Sequence, residues 1–360
     1  MAKIPSVCRY VLWLLGAWAT LLPAAAAQQP LHAVMAAAPR AAGRVTAAQL
    51  GLVINTDDPY SQAVGAYYIG KRQLKPEQVL RVALPVRAAL NPEEFERLRR
   101  QVDAHFGREV QALALAWTQP YAVECNSITG ALALGFDAQL CQRTCGVSRR
   151  SRYFNAATTR PFAELGVRPA MLLASASVAQ AKALIDRGVA ADRTLGLKGA
   201  PPVHAYFVST SDVARNVRAR LFPPAGLLRR HGVQVHREQT DALLDRQRVL
   251  LYQTGLPKVE GLQSIGWVNG ALADHLTSFG GMLDRENGQM TALAWLAAGA
   301  TASYGTVSEP CNHLQKFPHP QVLLQHYLQG SSAIEAYWKS VAWPQQGLFV
   351  GEPLAAPFAR

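Results

Sequence analysis

Short apolar runs alternate along the chain with longer segments whose apolar positions recur every three or four residues. QLGLVINTDDP reads as a buried strand closing in a polar turn, and in SQAVGAYYIGKRQ the residues Val64, Tyr67 and Tyr68 share one helical face. Asp58-Pro59 with Ser61 marks the start of that helix. VLRVALPV is a second strand, NPEEFERLRRQVDAHFG a helix with acids in its first turn and Gly107 at its end, and QALALAWTQPYAVE a third strand. The alternation resumes with the strand AMLLAS, the helix SVAQAKALIDRGVAAD, the strand AYFVSTSD and a basic helix from Val213 to about His231. VQV at 233–235, RVLLYQTG and QSIGWVNG are three further strands. This order predicts an α/β fold built on a largely parallel, doubly wound sheet with helices on both faces.

Ligands of such sheets sit beyond the carboxyl ends of the strands. The polar residues just after each apolar run are therefore the candidate binding rim: Asn55, Asp57, Asp58, Glu124, Asn126, Asp212, Asn269 and Glu309. The same rule selects ADHLTSFGG at 273–281, where Asp274, His275 and Ser278 stand close together. On a helix His275 and Ser278 would share a face, as a base and its nucleophile do; the plainer reading makes the hydroxyls caps and the histidine a turn residue.

Residues 1–27 have a basic start, an apolar core and a small-residue end, the pattern of a secretory signal. An Ala-rich linker (28–48) follows, then residues 49–360, read as one large α/β domain or two fused subdomains of about 49–232 and 233–360. A Cys- and Arg-rich loop at 125–169 interrupts the rhythm, and no later stretch approaches a membrane span. The formal net charge of +12 includes Lys3 and Arg9, which would leave with the signal. The basic residues are dispersed, RRSR at 149–152 being the only dense run. That distribution fits affinity for an anionic envelope component better than specific nucleic-acid recognition.

Of five cysteines, Cys8 belongs to the signal, leaving Cys125, Cys141, Cys145 and Cys311. In an oxidising compartment they form two disulfides in one of three connectivities; no second close pair completes a zinc site. Cys311 has a second reading: with Glu309 and His313 nearby, it is a candidate thiolate nucleophile. Asp57, Asp58, Glu124, Asp212 and Asp274 match no Ca²⁺ loop, so no metal is expected. There is no GxxxxGK[ST], no GxGxxG after the first strand and no GxSxG, so no nucleotide cofactor and no nucleophile elbow are expected.

Four blocks resemble a family of exported bacterial proteins of uncharacterised function: N-x-x-D-P-x-S at 55–61, the stretch from Trp117 to Thr129, the A-D-H-L-T-S-F-G-G block, and the region from Ser308 to Phe358 with G-E-P-L-A. More remotely, the order of elements from Arg248 is similar to the caspase-like catalytic domain of gingipain-type cysteine peptidases. That resemblance places Leu256 at the catalytic histidine position and Trp267 at the catalytic cysteine position, which implies a scaffold without its dyad. The expectation is a non-catalytic exported protein binding a peptide or a cell-envelope component at the rim. The alternative is a hydrolase relocated to His275/Ser278 or Cys311/His313. Tyr337, Trp338 and Trp343 near the C-terminus read as core rather than as an assembly surface.

Overall fold

The computed structural model describes Pro39 and residues 43–360, so the signal reading at 1–27 and the greater part of the Ala-rich segment lie outside the described residues. Residues 43–360 belong to one compact unit. In chain order its first half contains β1 (Leu50–Asn55), α1 (Pro59–Arg72), β2 (Val79–Val82), β3 (Ala89–Leu90), α2 (Pro92–His105), β4 (Ala112–Leu115), β5 (Ala122–Val123), β6 (Asn126–Ser127), α3 (Ile128–Leu134), α4 (Ala138–Gln142), α5 (Pro161–Leu165), β7 (Ala170–Leu172) and α6 (Val178–Ala191). The second half contains β8 (Val203–Ser209), β9 (Gly226–Leu228), β10 (Val233–Gln239), β11 (Val249–Thr254), β12 (Trp267–His275), α7 (Ala292–Ala298), β13 (Ala302–Thr306), α8 (Pro320–Leu328), α9 (Ala333–Ser340) and β14 (Gly347–Gly351).

Eleven strands form one sheet in the order β2-β1-β4-β7-β14-β13-β12-β11-β8-β10-β9. The sheet is mostly parallel, and helices cover both of its faces. Within β1, Leu50, Leu52 and Ile54 face one apolar layer and Val53 the other, which explains why all six residues are buried. The first layer takes α1, α8 and α9; the second takes α2, α3 and α7. Tyr337 and Trp338 are fully buried in the first layer, and Trp343 is buried as well.

β14 runs antiparallel to β13, and its one pairing with β7 sets Val350 opposite Leu172. At one end the Ser127 and Thr129 hydroxyls donate to Gly347 O. At the other, Glu352 meets Arg72 at the end of α1 and lies against Gly188 near the end of α6. The ends of the return helices thus share the sheet's amino edge, and the carboxyl ends of β1, β4, β8, β11, β12 and β13 share the opposite rim.

Four expectations are corrected. The basic helix from Val213 is instead a 3-10 turn, Asn216–Leu221, followed by β9 against β10, because Pro223-Pro224 cannot continue a helix. The strand read from QSIGWVNG begins at Trp267 and runs on to His275, so Trp267 is its first residue and Asn269 lies near the amino edge, away from the rim. The misleading signal was Gly270: its φ is +86°, and a Cβ there would sit 3.0 Å from both Ala191 and Pro357, so the glycine marks a close approach inside the strand. The segment 125–169 is not an open loop, since it carries α3, α4 and α5, and α3 is largely buried. Finally, the end of the Ala-rich segment belongs to the fold: Val45 is buried and its N–H donates to Glu335 Oε2 at 3.0 Å.

Candidate functional site

The rim has two places where successive connections leave in opposite directions, between β1 and β4 and between β8 and β11. Doubly wound proteins bind ligands at such points. At the first, Asn55 is fully buried and its carboxamide acts as a strand extension: Nδ2 donates to Leu84 O (3.0 Å), and Oδ1 accepts from Leu84 N (2.9 Å) and Asp57 N (3.1 Å). Asp58 caps α1 by accepting from Tyr60 N at 2.9 Å; burial pushes its pKa up, against the opposing pull of the Tyr60 and Ser61 N–H groups. Thr118 donates to Ser175 O and Tyr60 to Leu173 O, which ties the ends of β4 and β7 together. Asp57 alone of these acids is exposed.

At the second, the ADHLTSFGG block folds down into the sheet end. Asp274 is fully buried and paired with Arg218, and it also accepts from Gln253 Nε2 at 2.8 Å. His275, 1% exposed, uses both ring nitrogens: Trp295 Nε1 donates to Nδ1 (2.9 Å), and Nε2 lies 3.1 Å from Met290 O. Indole N–H can only donate, so Nδ1 is the bare nitrogen and Nε2 carries the proton. Burial pushes the imidazole down to about 3, with Arg218 and Arg215 adding repulsion and the Met290 carbonyl opposing. His275 is therefore a neutral, doubly bonded core histidine with no lone pair left for a base.

Thr277 and the backbone that follows it are also tied down. Thr277 Oγ1 donates to Gln289 Oε1, which also accepts from Phe279 N at 2.9 Å. Thr306 Oγ1 donates to Ser278 O at 2.8 Å. A Cβ at Gly281 would lie 2.7 Å from Gly305 O, and one at Gly305 would lie 2.3 Å from Gly280 C, so the Gly-Gly pair exists for backbone-to-backbone contact with β13. The polar cluster closes the strand ends as a plug.

Asp212 accepts from Arg215 N (3.0 Å) and pairs with its Nη1 (2.8 Å), while Arg215 Nε donates to Thr277 Oγ1 (3.2 Å). Asn126 is buried; it donates to Asp137 O and accepts from Gln345 Nε2. Glu124 is exposed in a left-handed turn, with φ +49°. Leu256 follows β11 on the rim and is partly buried against an apolar cluster. The cysteines form Cys125–Cys141 and Cys145–Cys311. With its sulfur bonded, Cys311 offers no thiolate. Glu309 Oε1 accepts from Cys311 N (2.8 Å), and His313 Nε2 lies 2.8 Å from Cys145 O, so both neighbours brace the disulfide segment.

Sequence reasoning missed Arg218 and Gln253, which with Tyr337, read only as a core residue, form the buried network beneath the rim. Gln253, a polar residue inside the apolar run of β11, was the available signal. Among the described residues no three His, Cys, Asp or Glu side chains are grouped to hold a metal, and no helix is long and apolar enough to cross a membrane. Comparison with family models, curated proteins and solved structures gave no match.

Proposed function

We propose that this is an exported, non-catalytic protein that binds an extended peptide at the rim. One observation carries the reading: both nitrogens of His275 are hydrogen-bonded and Cys311 is in a disulfide, which leaves the His275/Ser278 centre no base and the Cys311/His313 centre no nucleophile. Two disulfides support residence in an oxidising compartment.

The rim also offers a place for the peptide. A groove of about 360 Å³ runs between the 258–263 segment and α7. Val259, Leu262, Met290 and Ala294 give it apolar surface, while Lys258 and Glu286 form an exposed pair beside it at 3.6 Å. Apolar pockets for side chains, flanked by charges of both signs, suit a short peptide segment better than a polyanion.

An array of random nonapeptides probed with the mature protein tests this. The expected result is binding to a subset of peptides that Ala294→Arg, which fills the groove, weakens by about tenfold or more. Peptides recovered by mass spectrometry should be intact. Fragments whose formation stops in a Ser278→Ala variant would overturn the proposal.

A further inference from the structure

A cavity of about 570 Å³ lies at the amino edge, away from the rim groove. It is bounded by the C-terminal halves of α2 and α3, the 149–152 run and the segment leading into β7. Five arginines line it, Arg99, Arg149, Arg150, Arg152 and Arg168, against one acid, Asp103. The RRSR run, the only dense basic run of the sequence, is here one wall of a half-open cavity.

The charge is only partly offset locally. Arg168 is 3% exposed, and the carboxylate paired with it, Asp103, is 3.7 Å away and half-exposed. Its other bonds go to carbonyls: Nε to Val110 O (3.2 Å) and Nη2 to Phe106 O and Gly107 O (both 3.1 Å). The guanidinium is stacked 3.5 Å from the Phe162 ring centroid, which fixes its plane. Arg149 likewise donates to Leu134 O at the end of α3. These two arginines cover the negative ends of two helices, so the cavity presents cations where bare helix termini would present carbonyls. Arg99 is paired with Glu96 at 2.8 Å, whereas Arg150 and Arg152 are exposed at the mouth. Leu132, Leu165 and Val167 supply an apolar remainder.

We propose that this cavity is a binding site for a phosphate-bearing ligand. Guanidinium groups grip phosphate oxygens in pairs, and the volume admits a phosphorylated headgroup or a small phosphoester while excluding a folded macromolecule. The same chemistry has two sources in an envelope, a lipid headgroup and a soluble phosphoester, and the experiment separates them.

The mature protein is titrated with inorganic pyrophosphate by calorimetry at fixed ionic strength, and floated with vesicles of phosphatidylcholine with and without phosphatidylglycerol. Arg150→Glu/Arg152→Glu reverses the charge at the mouth; Arg229→Glu/Arg230→Glu makes the same charge change at exposed positions outside the cavity. The proposal expects saturable binding that the first pair weakens by about tenfold or more and the second leaves within about twofold. Pyrophosphate binding without flotation assigns a soluble ligand; flotation that pyrophosphate competes away assigns a lipid headgroup. Equal loss in both pairs would reduce the effect to net charge and overturn the site, as would no binding of either probe to the unsubstituted protein.

Discussion

Replacing Arg218 with methionine is expected to destabilise the fold by about 3–5 kcal/mol. Arg218 and Asp274 are both essentially unexposed and pair through Nη1 and Oδ1. Arg218 Nη2 also donates to Thr254 O at 2.8 Å, which holds the last residue of β11 against the end of β12. Methionine fills much of the volume but leaves the Asp274 carboxylate in an apolar slab, with Gln253 and Tyr337 as neutral donors. Urea unfolding of Arg218→Met and of Arg218→Met/Asp274→Leu measures the cost. The double variant should recover much of the loss, because an apolar pair can substitute for a buried ion pair whereas a lone charge cannot. A single variant within about 1 kcal/mol of the parent would contradict the account.

The second large effect concerns Cys145–Cys311. It closes a loop with a sequence separation of 166 and joins the 141–145 segment to the 308–313 segment, whereas Cys125–Cys141 spans only 16. Chain entropy alone gives about 5 kcal/mol for the long bridge and about 3 for the short one. Cys145→Ser/Cys311→Ser should therefore lower the unfolding midpoint more than Cys125→Ser/Cys141→Ser. Alkylation of the unreduced protein should label none of these four sulfurs. Rapid labelling of Cys311 alone below about pH 7 would mark an activated thiolate and return it to candidacy as a nucleophile.

The architecture was readable where local and global signals agree. β1 shows its burial on both faces as an unbroken apolar run, and α2 announces itself through Asn91, Pro92 and Glu94, a cap that the structure closes with two 2.9 Å bonds. Errors arose where one residue type has two uses. Gly270 resembles a strand terminator and is an in-strand contact point; Pro223-Pro224 was outweighed by the basic pattern before it. The site was less legible because its meaning lies in partners distant along the chain. His275 beside Ser278 resembles a dyad, and only Trp295, twenty residues on, makes it a core residue. The arginine cavity shows the reverse case: RRSR faces Arg99 and Arg168 only once α2 and the β7 lead-in are folded against it.

A histidine that stays neutral across the working pH range cannot serve the rim as a catalytic base, and the protonation of His275 is open to measurement. Its folded pKa of about 3 lies far below the ordinary value near 6.5. The unfolded chain therefore binds the extra proton first, and the stability linked to this group is fully present above about pH 6.5 and lost as pH falls toward 3. A ¹⁵N NMR titration of the imidazole should show the Nε2–H tautomer unchanged from about pH 8 down to about 4.5. A midpoint near 6 to 7 would contradict the account, since a histidine that exchanges its proton there is a poised base at the strand end.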